Sequence, residues 1–337
     1  MINGHGDDIY DYKGIRINFS SNVYNHFNHE GLYAHLRSQL RLVNNYPEAQ
    51  PKSLERALST SLGIADNQIM VTNGATEAIY LIAQTFSKAV SAIVEPTFSE
   101  YADACIMHHH KVCRITDINQ INDQHQLVWI CNPNNPTGKV TIIQKWEDTI
   151  RLHPSTLFIE DASYVPFTEV PTLHCDKAVG FPNLLQLHSM TKRFAIPGLR
   201  LGYLTGCSRL IDQINKNRMP WSVNQLAASA GHYLLEHQSE YTIEKERLTA
   251  ECMHLRAQLG NIEGIEVLPT DTHFFLARTK KSTAYDMKQF LANKHGILIR
   301  DAANFHNLDT SYFRIATQQR EENNELIKNI GLWIGQQ

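Results

Sequence analysis

Lys192 stands in the run Ser189-Met190-Thr191-Lys192-Arg193-Phe194-Ala195-Ile196-Pro197-Gly198-Leu199-Arg200-Leu201-Gly202-Tyr203, just past the end of a predicted strand. An amine held near cations or in a dry pocket loses basicity and can attack an aldehyde. The hydroxyls of Ser189 and Thr191 and the forked guanidinium of Arg200 form a donor set suited to a phosphate. A lysine on its own is most often solvated surface. Ser-x-Thr-Lys followed by Pro-Gly-Leu-Arg-Leu-Gly-Tyr reverses that reading. A second phosphate feature is Thr72-Asn73-Gly74-Ala75-Thr76-Glu77, which ends a predicted strand and opens a helix. The free N–H groups and the dipole at a helix start favour an anion. Asn73-Gly74 taken singly would be no more than a turn. The triplet His108-His109-His110 has no carboxylate or cysteine at ligand spacing. It reads as a solvated helix end or loop rather than a metal site, and no metal is expected.

These residues need a scaffold that brings them together. From about residue 68 to 206, short apolar runs alternate with helical patterns. Gln68–Thr72 reads as a strand, and Ala75, Ala78, Ile79, Ile82, Ala83 and Phe86 then recur at helical spacing. Ala92–Val94, Leu127–Ile130, Leu157–Ile159 and Leu184–Leu187 are further strands, each followed by a polar turn. Buried strands alternating with helices imply an α/β unit with a mostly parallel sheet covered on both faces. Ligands in such sheets bind at the carboxyl ends of the strands. After Pro220 the character changes. A long helical stretch over 223–259 precedes strands at Gly264–Leu268, Phe274–Ala277, Gly296–Arg300 and Phe313–Ala316, with helices near 283–294 and 319–334. The chain therefore divides into an N-terminal arm over 1–30, a large domain over 31–220, and a connecting helix with a smaller α+β domain over 221–337.

Composition narrows the function classes. The 337 residues are 42% hydrophobic and 19% charged, with a formal net charge of −3. That balance argues against nucleic acid or anionic membrane as the main partner. No apolar run reaches the roughly 18 residues needed to span a bilayer, and the polar N-terminus lacks a secretory pattern. The scattered cysteines 105, 113, 131, 175, 207 and 252 fit reduced thiols of a cytoplasmic protein.

The Lys192 segment resembles the fold-type-I pyridoxal-5′-phosphate (PLP) enzymes, the class I/II aminotransferase superfamily, and the likeness extends over almost the whole chain. It implies an aspartate-aminotransferase-like α/β large domain, PLP as cofactor, and Lys192 as the residue that bonds to the cofactor's aldehyde carbon. Asn132-Pro133-Asn134-Asn135-Pro136-Thr137-Gly138 matches the family string Asn-Pro-Asn-Asn-Pro-Thr-Gly. By that match Asn135 would hydrogen-bond the cofactor's phenolic oxygen. Asp161-Ala162-Ser163-Tyr164-Val165-Pro166-Phe167 occupies the place of the family's Asp-Glu-Ala-Tyr/Phe segment. Asp161 would bind the pyridine nitrogen and keep the ring an electron acceptor, with Tyr164 adding a bond to the phenolic oxygen. Ala162 departs from the usual glutamate. In Pro96-Thr97-Phe98-Ser99-Glu100-Tyr101, Phe98 would stack on the ring, with Tyr101 the second choice. Gly74, Ala75, Thr76, Ser189, Thr191 and Arg200 would hold the cofactor phosphate. Asn45-Tyr46-Pro47 resembles the segment whose tyrosine reaches the partner's cofactor across an interface, which implies a homodimer.

Arg314 aligns with the family arginine that grips the substrate α-carboxylate, and Arg300 sits at a second anion position in the adjacent strand. Two groups stand out within the superfamily: L-threonine-O-3-phosphate decarboxylases of cobalamin biosynthesis and histidinol-phosphate aminotransferases. The opening His5-Gly6-Asp7-Asp8-Ile9, the run Phe19-Ser20-Ser21-Asn22, and Ile297-Leu298-Ile299-Arg300 with Ala303-Asn304-Phe305 resemble the decarboxylases more. By that likeness His5, Gly6, Asn22, Asn135, Arg300 and Arg314 would contact an O-phosphorylated amino acid. Asp7-Asp8 departs from the decarboxylases' Gly-Asn and adds carboxylates near a phosphate site. The alternatives are an aminotransferase and, from another class, a PLP-binding regulator without turnover. Such regulators usually carry a helix-turn-helix ahead of the fold, where this chain has about 30 irregular residues.

Overall fold

The computed structural model describes residues 8–24 and 26–336. His5 and Gly6, expected in the substrate site, lie outside the described residues. In chain order the strands are β1 (Ile17–Asn18), β2 (Ile69–Thr72), β3 (Val90–Val94), β4 (Lys111–Ile115), β5 (Leu127–Cys131), β6 (Leu157–Asp161), β7 (Leu184–Ser189), β8 (Gly202–Gly206), β9 (Ile265–Val267), β10 (Phe274–Thr279), β11 (Ile297–Leu298), β12 (Arg300–Asp301) and β13 (Tyr312–Ala316).

Seven of these form one sheet in the order β2-β8-β7-β6-β5-β3-β4. β8 runs antiparallel to both its neighbours and every other pair is parallel. This is the mostly parallel sheet that the apolar runs imply. Every residue of β5 and β6 is buried, as a sheet covered on both faces requires. Two of its strands escape the sequence reading. β4 is a partly exposed edge carrying Lys111 and Arg114, and charge on an edge suppresses unwanted pairing while it weakens the apolar signal. β8 begins and ends on glycine, so its pattern is too short to register.

The parallel strands deliver their carboxyl ends to one edge. Cys131 pairs with Asp161, and Asp161 with Leu187, so the segments after β5, β6 and β7 start side by side. That edge carries Asn135, Asp161 and Lys192.

A second, antiparallel sheet has the order β12-β13-β10-β9. Phe275, Phe313 and Ile315 pack with Met287, Leu326 and Ile330 from the helices Ala284–His295 and Arg320–Ile334. β1 pairs in parallel with β11, and Ile17 and Phe19 join the same core. The stretch expected as one strand over Gly296–Arg300 is two, β11 and β12, in different sheets. The helical stretch over 223–259 is likewise two helices, Gln225–Glu236 and Lys245–Gly260, with a 3-10 turn between them. Tyr241 in that turn is buried against Phe27, His29 and Phe194. The β-branched pair Thr242-Ile243 follows, whose stiff side chains slightly disfavour helix propagation. The first of the two helices packs on Glu30–Gln39 and Lys52–Leu62.

Candidate active site

A cavity of about 620 Å³ opens where the strand ends meet the second sheet. Ala75, Thr76, Ser189, Thr191, Lys192 and Arg200 line one side of it, and Phe98, Asn135, Asp161 and Tyr164 also face it. Asn22, Arg300 and Arg314 complete the wall. Residues from 22 to 314 thus meet in one space. Tyr46 does not: it is 84% exposed and stands against Trp221, ring centroids 5.4 Å apart. Gly74 lies behind Ala75 with φ +75°. A Cβ there would fall 2.6 Å from Nη2 of Arg200, at the start of the helix Gly74–Thr85, and the left-handed backbone itself favours glycine. Arg200 itself has φ +57°, and its Nη1 donates to the Pro197 carbonyl at 3.2 Å.

Asp161, the last residue of β6, is buried. Its Oδ2 accepts from the Tyr101 hydroxyl at 2.6 Å and its Oδ1 from the Ser163 N–H at 3.0 Å. Tyr101, second choice for stacking from the sequence, therefore serves Asp161. Phe98 stands edge-on to it, centroids 5.8 Å apart. No motif signals the Tyr101–Asp161 bond, because the two residues are 60 apart in sequence and meet only through the sheet. Burial pushes the Tyr101 hydroxyl well above its ordinary range, with the Asp161 carboxylate adding to the effect, so it stays a donor. Burial also raises Tyr164, against the opposing pull of Arg314. One residue back, Glu160 accepts from Asn132 Nδ2 and Gln186 Nε2, both at 2.9 Å, which anchors the end of β6 beneath the site.

Arg314 Nη1 donates to Asn135 Oδ1 and its Nη2 to the Ser20 carbonyl. Ser20 lies in the flagged run Phe19–Asn22, but its role there was not legible, since the contribution is its backbone carbonyl. Arg300 and Arg314 are direct partners across the β12–β13 ladder, and both are buried. Like charges placed opposite one another repel. Arg300 Nη2 donates to Asn304 Oδ1 at 2.6 Å. Among the described residues no carboxylate lies within ion-pair distance of Arg300, and burial lowers its basicity. Two buried guanidiniums in register on neighbouring strands would suit an anionic ligand.

The His108–His110 triplet is not wholly solvated. His110 is buried, with Nδ1 2.7 Å from Ser91 Oγ and Nε2 2.8 Å from the Ala83 carbonyl. Both ring nitrogens serve the fold. Among the described residues no group of three histidine, cysteine or acidic side chains could hold a metal ion.

The residues present fit PLP on structural grounds. Thr191 is buried with a hydroxyl that has no hydrogen-bond partner among the described residues. Arg200 lies close to a helix N-terminus at Gly74, two features that would together suit a phosphate. Lys192 shares the cavity with a buried carboxylate.

The chain belongs to the class I and II aminotransferases, whose family model matches residues 15–330. It is 28% identical to threonine-phosphate decarboxylase from Salmonella typhimurium, over 87% of this chain and 84% of that one. A crystal structure of L-threonine-O-3-phosphate decarboxylase from Porphyromonas gingivalis is 35% identical with a TM-score of 0.93, covering 95% of this chain and 99% of that chain. Histidinol-phosphate aminotransferase from Desulfitobacterium hafniense is 30% identical over 89% of this chain and 87% of that one.

Proposed function

We propose that this chain is a PLP-dependent enzyme acting on an O-phosphorylated amino acid, with the decarboxylation of L-threonine O-3-phosphate as the favoured reaction. The observation that carries the reading is the pair of buried guanidiniums, Arg300 and Arg314, in register on adjacent strands and facing the cavity that holds Lys192 and Asp161. Two cations suit a substrate with an anion at each end. The likeness to decarboxylases in sequence and structure supports the same choice.

When bound, PLP supplies an electron sink that makes one bond to the substrate's Cα labile. Ala75, Thr76, Ser189, Thr191 and Arg200 would hold its phosphate, Asp161 its ring nitrogen, Asn135 and Tyr164 its phenolic oxygen, and Phe98 its ring face. Lys192 offers the amine that joins the cofactor and that gives or takes a proton at Cα. Arg314 grips the α-carboxylate and Arg300 the distal phosphate. Together with Asn22 they fix the rotation about the substrate's N–Cα bond, and that rotation selects which Cα substituent is aligned for cleavage. His5 and Gly6 would close the phosphate end. Tyr46, exposed on this chain, would reach the cofactor of a second copy, so the working unit is a homodimer. Six free cysteines accord with a cytoplasmic setting, and no helix among the described residues is long and apolar enough to cross a membrane.

A second reading, transamination, is favoured by the likeness to histidinol-phosphate aminotransferase. Incubation with O-phospho-L-threonine separates the two. Decarboxylation releases CO2 and (R)-1-aminopropan-2-yl phosphate without an oxo acid. Absence of CO2, with turnover of histidinol phosphate that depends on an oxo acid, would overturn the decarboxylase.

A further inference from the structure

Arg300 and Asn304 face two spaces: the cavity described above and a cleft on its outer side. That cleft is lined also by Asp8, Asp11, Tyr12, Lys288 and Asp301. Lys288 lies on the core helix Ala284–His295 and is only 4% exposed. A buried ammonium needs an anion. Here the anion is Asp8, whose Oδ2 accepts from Lys288 Nζ. The ammonium also stands over the Tyr12 ring, 5.4 Å from its centroid, and the Tyr12 hydroxyl accepts from Gln289 Nε2 at 2.8 Å.

The two sides of this ion pair differ in how firmly they are held. Lys288 and Arg300 are fixed on a helix and a strand of one packed core. Asp8 precedes a single 3-10 turn, Ile9–Asp11, that buries none of its residues. Its second oxygen, Oδ1, is buried without a hydrogen-bond partner among the described residues. The same carboxylate acts electrostatically on Arg300, after the larger effect of the neighbouring Asp301. A weakly held and half-satisfied carboxylate thus pairs with one buried cation, Lys288, and acts on a second, Arg300.

We propose that Lys288 is a further cation for the anionic end of the substrate, and that Asp8 is its internal counter-ion, displaced when a phosphorylated ligand enters. A phosphate monoester carries between one and two negative charges and three strong acceptors, so it outcompetes a single carboxylate for Lys288 and Arg300. An unphosphorylated amino acid brings no charge to that end and leaves Asp8 in place. The device therefore sharpens selection for the phosphorylated substrate. The proposal rests on the reading of Arg300 as a phosphate ligand.

The test uses the full chain loaded with PLP. O-phospho-L-threonine and L-threonine are titrated separately, and binding is followed by the cofactor's visible absorbance. The quantity read is the ratio of the two dissociation constants. Asp8→Asn removes the competitor and raises the preference for the phosphorylated ligand about fivefold or more. Lys288→Met lowers it roughly tenfold, the size of one charge-assisted hydrogen bond. The double variant falls well below Asp8→Asn alone, because the ammonium that Asp8 neutralises is then absent. Circular dichroism checks folding, and Asp8→Asn, at a partly exposed position, carries the test by itself if the lysine variant does not fold. A wild-type preference that Asp8→Asn leaves unchanged overturns the device and spares the phosphate reading. A wild type without any preference for the phosphorylated ligand overturns both.

Discussion

Lys192 and Asp161 come from the ends of neighbouring strands, and what surrounds each of them sets what it can do. Lys192 shares its wall with the hydroxyls of Ser189 and Thr191. Lys192→Ala removes the amine and should cost between about a hundredfold and ten-thousandfold in turnover, the range for a lost acid–base group. It should also alter the visible absorbance of added PLP, and retained turnover would contradict the assignment. Tyr101 donates to Asp161, so under the proposed function it is a positioning residue that would act on the cofactor through that carboxylate. Tyr101→Phe keeps the ring and leaves Asp161 Oδ2 without its buried donor. We expect a loss of about 1–3 kcal/mol in folding stability, and a shift in the pH midpoint of the bound cofactor's absorbance. A midpoint equal to wild type would reduce Tyr101 to packing.

Between elements, the first strand of the large sheet is tied to its flanking helix by charge. Glu55, on the helix Lys52–Leu62, accepts from Arg218 Nη1 at 2.8 Å and from the Val71 N–H at 3.1 Å. Arg218 Nη2 donates to the Val71 carbonyl. Both ionic side chains are 1% exposed. Breaking such a pair strands a charge in the interior. Glu55→Gln should therefore cost about 3–5 kcal/mol, read from urea unfolding, and a cost below 1 kcal/mol would mean the pair is solvated. β2 leads directly into the helix start at Gly74, so cofactor retention should weaken in the same variant. The sequence marked β2 and that helix through their apolar spacing. It gave no sign of the Glu55–Arg218 pair, whose members are 163 residues apart.

For the whole molecule, two buried histidines contribute to the response to acid. His188 stacks on Tyr203 at 4.6 Å, and His273 makes no hydrogen bond among the described residues through either ring nitrogen. Burial lowers both to about 3 from an ordinary value of 6.5. Above 6.5 each is neutral whether the chain is folded or not, and stability is unaffected. Below it the unfolded chain takes the proton first. Stability is then lost progressively toward pH 3, at up to about 1.4 kcal/mol per pH unit for each histidine. The melting temperature should fall between pH 7 and pH 5, and His273→Phe should flatten that slope whatever it does at neutral pH. A slope parallel to wild type would show that His273 is not held neutral. Much else at this scale was legible beforehand. Alternating apolar runs specify a parallel sheet, because a strand buried on both faces must be apolar throughout. Short strings such as Asn132–Gly138 and Ser189–Tyr203 mark the cavity's chemistry, because turn geometry and ligand contact constrain adjacent residues together. Tertiary structure alone decided the rest: that Tyr101 serves Asp161, that Glu55 pairs with Arg218, and that Asp8 neutralises Lys288. Each of these is a contact between residues brought together by strand order and helix packing, and neither propensity nor spacing along the chain encodes which distant side chain will stand within three ångströms of another.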